Sequence, residues 1–176
     1  MPGYALFEAE EAAAATSLAL AVRAVLAGRR VVYLDAANSF NPYVLARVVH
    51  RRRLDRGLLR RIIVSRAFTC HQLEALVRER AAPAARAHGA DLVIASDVGA
   101  LLYDEEVPLP EARRVTASIV GHLGRGPAGV VVAGLPPPGR EPLFALLRSN
   151  AARHHVLKEP PWDGPCPPLP SFSTPR

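Results

Sequence analysis

The chain reads as an α/β domain built on a mostly parallel central sheet, and three observations lead there. Val31 to Leu34, Leu92 to Ala95 and Gly129 to Ala133 are short apolar runs without alternation, the pattern of strands covered on both faces. The segments between them carry helical periodicity; in the first, Leu18, Val22, Val25 and Leu26 share one face. The run Val31 to Leu34 also ends in Asp35 and small polar residues, and ligands gather at the carboxyl ends of strands in open α/β sheets.

Taken in order, Tyr4 to Phe7 is the first strand. A helix begins near Thr16, whose hydroxyl suits an N-cap, and Gly28 closes it. After the Asp35 turn, Pro42 opens a helix from Tyr43 to about Arg53, with Val44, Leu45, Val48 and Val49 inward. Arg61 to Ser65 is the next strand. Thr69 caps a helix from Cys70 to Arg80, which Pro83 interrupts, and Gly89 ends the connection. Asp97 stands just past the central strand, and Asp104, Glu105 and Glu106 follow Tyr103. Three carboxylates together could hold a divalent ion, but without a spaced ligand set a solvated loop is the expectation. Helices over Glu111 to Leu123 and Leu143 to Leu147 and a last strand, His154 to Leu157, complete the core. Adjacent strand side chains point to opposite faces, so His154 and His155 read as strand residues rather than metal ligands.

From Glu159 onward proline is too frequent for a helix or a central strand. The expected division is a core over residues 1–158 and a proline-rich tail over 159–176. Trp162, Leu169 and Phe172 give the tail apolar anchors, either to strap it across its own core or to engage a partner groove.

With 176 residues the chain is one domain with room for a sizeable core. Cys70 and Cys166 lack the spacing of a disulfide framework or a metal cluster. Cys70 and His71 are neighbours on a helix and do not face each other, so no thiol nucleophile is supplied locally. No apolar run reaches membrane-span length and no signal peptide is read, so a reducing cytoplasmic location and no membrane partner are expected. The formal charge of +6 permits a polyanionic partner. Eight Arg and His residues cluster between Arg47 and Arg61: Arg47, His50, Arg51, Arg52, Arg53, Arg56, Arg60 and Arg61. Cations at a helix carboxyl end also stabilise it by ~0.3–1 kcal/mol each, so a solvated helix end competes with a phosphate-binding face.

The segment VVYLDAANSFNP, Val31 to Pro42, resembles a core strand and turn of the RecA/RadA recombinase ATPases, roughly VVYIDTEGTFRPE; Asp35, Phe40 and Pro42 match. IIVSRAFTCHQ, Ile62 to Gln72, is similar to their strand ending in ARAFN with a nearby HQ. DLVIASDVGALLYDEE, Asp91 to Glu106, is similar to LLIVDSATALY. The joint order covers about Leu6 to Gly134 and implies a RecA-like three-layer domain, P-loop-NTPase-like in its sheet.

What the resemblance implies for catalysis is missing from this sequence. The family's GxxxxGK[ST] loop cradles phosphates, whereas AEEAAAAT stands here. With Thr16 at the metal hydroxyl, Ala15 falls at the lysine and Ala14 at the second glycine, and Glu10 and Glu11 bring negative charge. The water-activating Glu falls on Ala37, the metal-associated Asp on Ser96 with Asp97 next, and an Asn-Gln pair on Ala133 and Gly134. A degenerate nucleotide site with no ATPase, cofactor or metal is therefore expected. The implied function is an accessory or regulatory role in DNA recombination or repair, through DNA or a partner such as a recombinase or another repair protein. Arg47, Arg51, Arg52, Arg53, Arg56, Arg60 and Arg61 are the candidate DNA contacts. The acidic Asp104 to Glu106 segment and the stiff Leu135 to Arg140 loop depart from the family's DNA-binding loops. No F-x-x-A segment precedes the first strand, so no filament of the family's type is expected. The alternatives are a regulator of the SulA type, acting by protein contact alone, and an unrelated enzyme using Asp35, Asp97 and His71.

Overall fold

The computed structural model describes residues 3–125, 128–162 and 167–170. Six strands form one sheet: β1 (Tyr4–Ala9), β2 (Val31–Asp35), β3 (Ile62–Arg66), β4 (Leu92–Ser96), β5 (Gly129–Gly134) and β6 (Arg153–Leu157). Their order is β3-β2-β4-β5-β1-β6, and every neighbouring pair is parallel. The expected mostly parallel sheet is thus wholly parallel.

Alternation along the strands builds two cores. Tyr4 and Leu6 of β1, with Val32 and Leu34 of β2, enter one; Ala5, Phe7, Val31 and Tyr33 enter the other. Both faces are covered, which is why these strands are apolar throughout. The second face is covered by α1 (Ala13–Leu26) and α2 (Pro42–Arg51). The first is covered by α3 (Cys70–Ala75), α4 (Ala81–His88), α5 (Gly99–Leu102), α6 (Leu109–Leu123) and α7 (Glu141–Ser149). The result is a three-layer α/β domain.

Local physics moves several expected boundaries. Helix α1 begins at Ala13, and Thr16 is fully buried within its first turn, its N–H already donating to Ala12 O at 2.9 Å. Thr16 is therefore not the N-cap; Ala12 takes that place in a left-handed conformation, φ 52°, without a side-chain cap. Alanine has the highest helix propensity, so the run extends the helix upstream. At the other end, Gly28 adopts φ 85° after the last turn, as the sequence predicts.

Helix α2 starts where Pro42 predicts, with Asn41 as its cap accepting from Tyr43 N at 2.9 Å. It stops at Arg51 because Arg53 turns left-handed, φ 51°. A 3-10 turn, Arg56–Arg61, then absorbs Arg61, so β3 begins one residue later than expected.

Pro83 does not interrupt its helix. The chain runs from α3 through a π-helical stretch, Leu76–Arg80, into α4, and Gly89 ends it with φ 60°. A proline ring collides with the carbonyl four residues back and removes one donor. The widened turns just ahead, where Ala81 N reaches Leu76 O, supply the slack.

In the tail, Trp162 and Leu169 are partly buried against the core that α1 and α2 cover, and Arg23 Nη1 donates to Pro161 O at 3.4 Å. Cys166 and Phe172 lie outside the described residues. Among the described residues no helix is long and apolar enough to cross a membrane.

Candidate functional site at the carboxyl edge of the sheet

Asp35 ends β2 with no exposed surface. Its carboxylate accepts from Ser39 N and Phe40 N, each at 3.0 Å, and pairs with Arg66 Nε of β3 at 3.2 Å. Arg66 Nη2 also donates to Phe40 O at 3.1 Å. Asp35 thus closes the turn over residues 36–40, and Ala37 lies within that turn with a side chain that can neither donate nor accept.

Beside it, residues 10–12 link β1 to α1, and Glu10 and Glu11 are exposed there. Ala14 and Ala15 are half-buried in the first helical turn. The helix N-terminus therefore offers methyl groups and neighbouring carboxylates rather than a lysine. Behind it, Tyr33 is fully buried, its ring tilted against Phe40 at 5.1 Å. Its hydroxyl lies beside Ser96 and Ser17, but Ser17 Oγ is engaged with Ala13 O at 2.8 Å. Tyr33 OH, Ser96 Oγ and Thr16 Oγ1 are buried without a hydrogen-bond partner among the described residues. Burial is the main cause that pushes the Tyr33 hydroxyl above its ordinary value, so it is a neutral group here.

A second cluster lies past β4. Asp97 adopts φ 38°, and burial raises its carboxyl above the ordinary range, opposed by the N–H groups of Ala100 and Gly134. Tyr103 stands near Asp97 and Glu8, and its hydroxyl is held up first by burial and then by those two carboxylates. Gly99 permits the ring to pack there, because a Cβ at Gly99 would lie 2.6 Å from Tyr103. Glu8 itself pairs with His154 Nε2 at 2.8 Å. Tyr103, Glu8 and His154 were not singled out as site residues from sequence. The available signal was a glutamate inside the otherwise apolar β1 segment YALFEA.

The residues proposed for unrelated chemistry are not joined. His71 Nε2 pairs with Glu111 on α6 at 2.8 Å, and Asp35 is occupied by its turn, although Asp35 and Asp97 both lie near enough to the Tyr33 hydroxyl to disfavour its ionisation. Burial pushes the Cys70 thiol up, away from reactivity. In the acidic segment Asp104 accepts from Glu106 N at 2.9 Å, closing a turn. Buried Arg140 holds that segment from behind through Asp104 O and Val107 O at 2.7 and 2.8 Å.

The basic cluster lies at the other end of α2. Arg47, Arg51, Arg53, Arg56 and Arg60 are exposed, and their side chains have no ion-pair or hydrogen-bond partner among the described residues. Arg52 is exposed and engaged, and it borders a cleft with Arg23, Leu26 and Trp162. Arg61 is half-buried, and its Nη1 donates to Gly28 O at 2.7 Å, tying the 3-10 turn to the end of α1. Comparison with known proteins adds no family, since no family model and no curated protein matches the chain.

Proposed function

We propose that this chain is a non-catalytic RecA/RadA-like protein, an accessory or regulatory factor in DNA recombination or repair that acts by binding DNA or a partner protein. The observation that carries the reading is the helix N-terminus at the carboxyl edge of the sheet. Phosphate binding there needs open backbone N–H groups and a cation. Ala14, Ala15 and the exposed Glu10 and Glu11 occupy that place instead. Isothermal titration with MgATP is expected to show no saturable binding at millimolar nucleotide. Saturable heat with turnover would overturn the reading.

The basic face supports the DNA arm. Binding to a duplex oligonucleotide, followed by fluorescence anisotropy, should be indifferent to sequence and fall steeply with salt. Each neutralised duplex phosphate contributes a log–log slope of about 0.9. Replacing Arg47, Arg51 and Arg56 together with Ala should flatten that slope by about two to three. The side chains of these three have no hydrogen-bond or ion-pair partners to lose, and only Arg51 lies in the last turn of α2, so the melting temperature should fall by no more than about 4 °C. Failure of the parent to bind at low salt would leave the SulA-type reading, protein contact alone. One observation favours that second reading: part of the basic face borders an apolar groove.

A further inference from the structure

Between α2 and the 3-10 turn lies a half-open groove of about 740 Å³. Val49, Leu54 and Leu59 form its floor, and His50, Arg53 and Arg56 stand around its rim. We infer that this groove docks an acidic segment of a partner protein, with an aliphatic side chain on the floor and carboxylates on the rim. The inference rests on the reading of the chain as a binding protein and names the chemistry of its partner.

Three features select this occupant. Arg53 and Arg56 are exposed without ion-pair partners among the described residues. The nearby Asp55 is exposed but does not line the groove, and its carboxylate accepts from Gly57 N at 2.9 Å. The lining therefore holds two guanidinium groups and no carboxylate, and its charge is net positive. The floor is aliphatic and lacks the aromatic platforms on which unstacked bases bind, so it favours a protein side chain over a nucleotide. Finally, the carboxyl end of α2 closes one side of the groove, and helix carbonyls carry partial negative charge. An anion is disfavoured against that end, while an apolar anchor is not; the carboxylates belong further out, on the arginines.

The test uses the full chain and a fluorescein-labelled synthetic peptide repeating Asp-Glu-Leu, with a control in which every Leu is Ser. Burying one leucine is worth about 1.5–3 kcal/mol, so the Ser control should bind at least roughly tenfold more weakly. Ala46, which also lines the groove, offers an uncharged obstruction. Ala46→Gln should weaken the Leu peptide to a similar degree and leave duplex DNA binding unchanged. Arg53→Asn with Arg56→Ala should weaken the peptide and reduce its salt dependence; Asn tolerates the left-handed backbone at position 53. Circular dichroism checks that each variant is folded.

Equal binding of the Ser control overturns the inference and leaves a polyanion surface only. Normal peptide binding by Ala46→Gln overturns it as well. DNA binding without peptide binding removes the groove proposal and keeps the DNA reading, whereas peptide binding without DNA binding keeps the groove and removes the other arm.

Discussion

Asp35 spends its carboxylate on two backbone N–H groups and one guanidinium. Asp35→Ala should orphan Ser39 N and Phe40 N and cost about 2 kcal/mol, lowering the melting temperature by roughly 4–8 °C for a domain of this size. An unchanged melting temperature would mean that the turn is held by other contacts. Asp97 makes the opposite prediction, because burial disfavours its charged form. A carboxyl whose folded value is raised contributes stability in acid and loses it as pH rises through that value. Asp97→Asn should therefore raise stability at neutral pH and flatten the pH dependence just above the ordinary carboxylate range, and asparagine accepts φ 38° there. Denaturant midpoints measured across that range decide it; a less stable Asn variant at neutral pH would show that the charge serves a local partner. Asp35 was legible as a residue at a strand end, but its partner Arg66 comes from β3, a pairing that only the sheet register creates.

At the scale of elements, the strands were the readable part, because continuous apolar runs of fixed short length have few alternative uses. Helix starts were less readable where alanines blur the boundary, as at Ala13, and where proline sits inside. The relief of Pro83 by the π-helical stretch leads to a prediction. In a regular helix interior proline costs about 3 kcal/mol, but here the hydrogen-bond ladder is already opened. Pro83→Ala should consequently change stability by less than about 1 kcal/mol, measured by chemical unfolding. A gain near 3 kcal/mol would show that the π turns do not relieve the ring. The candidate basic face was legible as a charge cluster, yet the bond from Arg61 to Gly28 O was not, since those residues meet only when β3 is laid beside β2.

For the whole molecule, the tail and the sheet order set the terms. Trp162 is the chain's one tryptophan and borders a cleft with Arg52, so its emission should shift when a ligand engages the basic face. Trp162→Ala should lower the melting temperature by several degrees through lost apolar contact with the core; no change would mean that the tail is merely laid on the surface. The composition of the tail ruled out a helix, but which side of the sheet it would lie against depended on where α1 and α2 fell. β1, meanwhile, is flanked by β5 and β6, the last two of the described strands in chain order. During synthesis its apolar segment has no sheet partner until Gly129 emerges, roughly 120 residues later. At about 5–20 residues per second, that is on the order of ten seconds. In that interval Tyr4 to Ala9 lacks both of the strands that flank it in the finished sheet. Ribosome-bound chains stalled before Gly129 should be cut within this segment by a probing protease, and chains stalled well beyond Leu157 should be protected there; equal protection in both would show that β1 finds shelter before its neighbours exist.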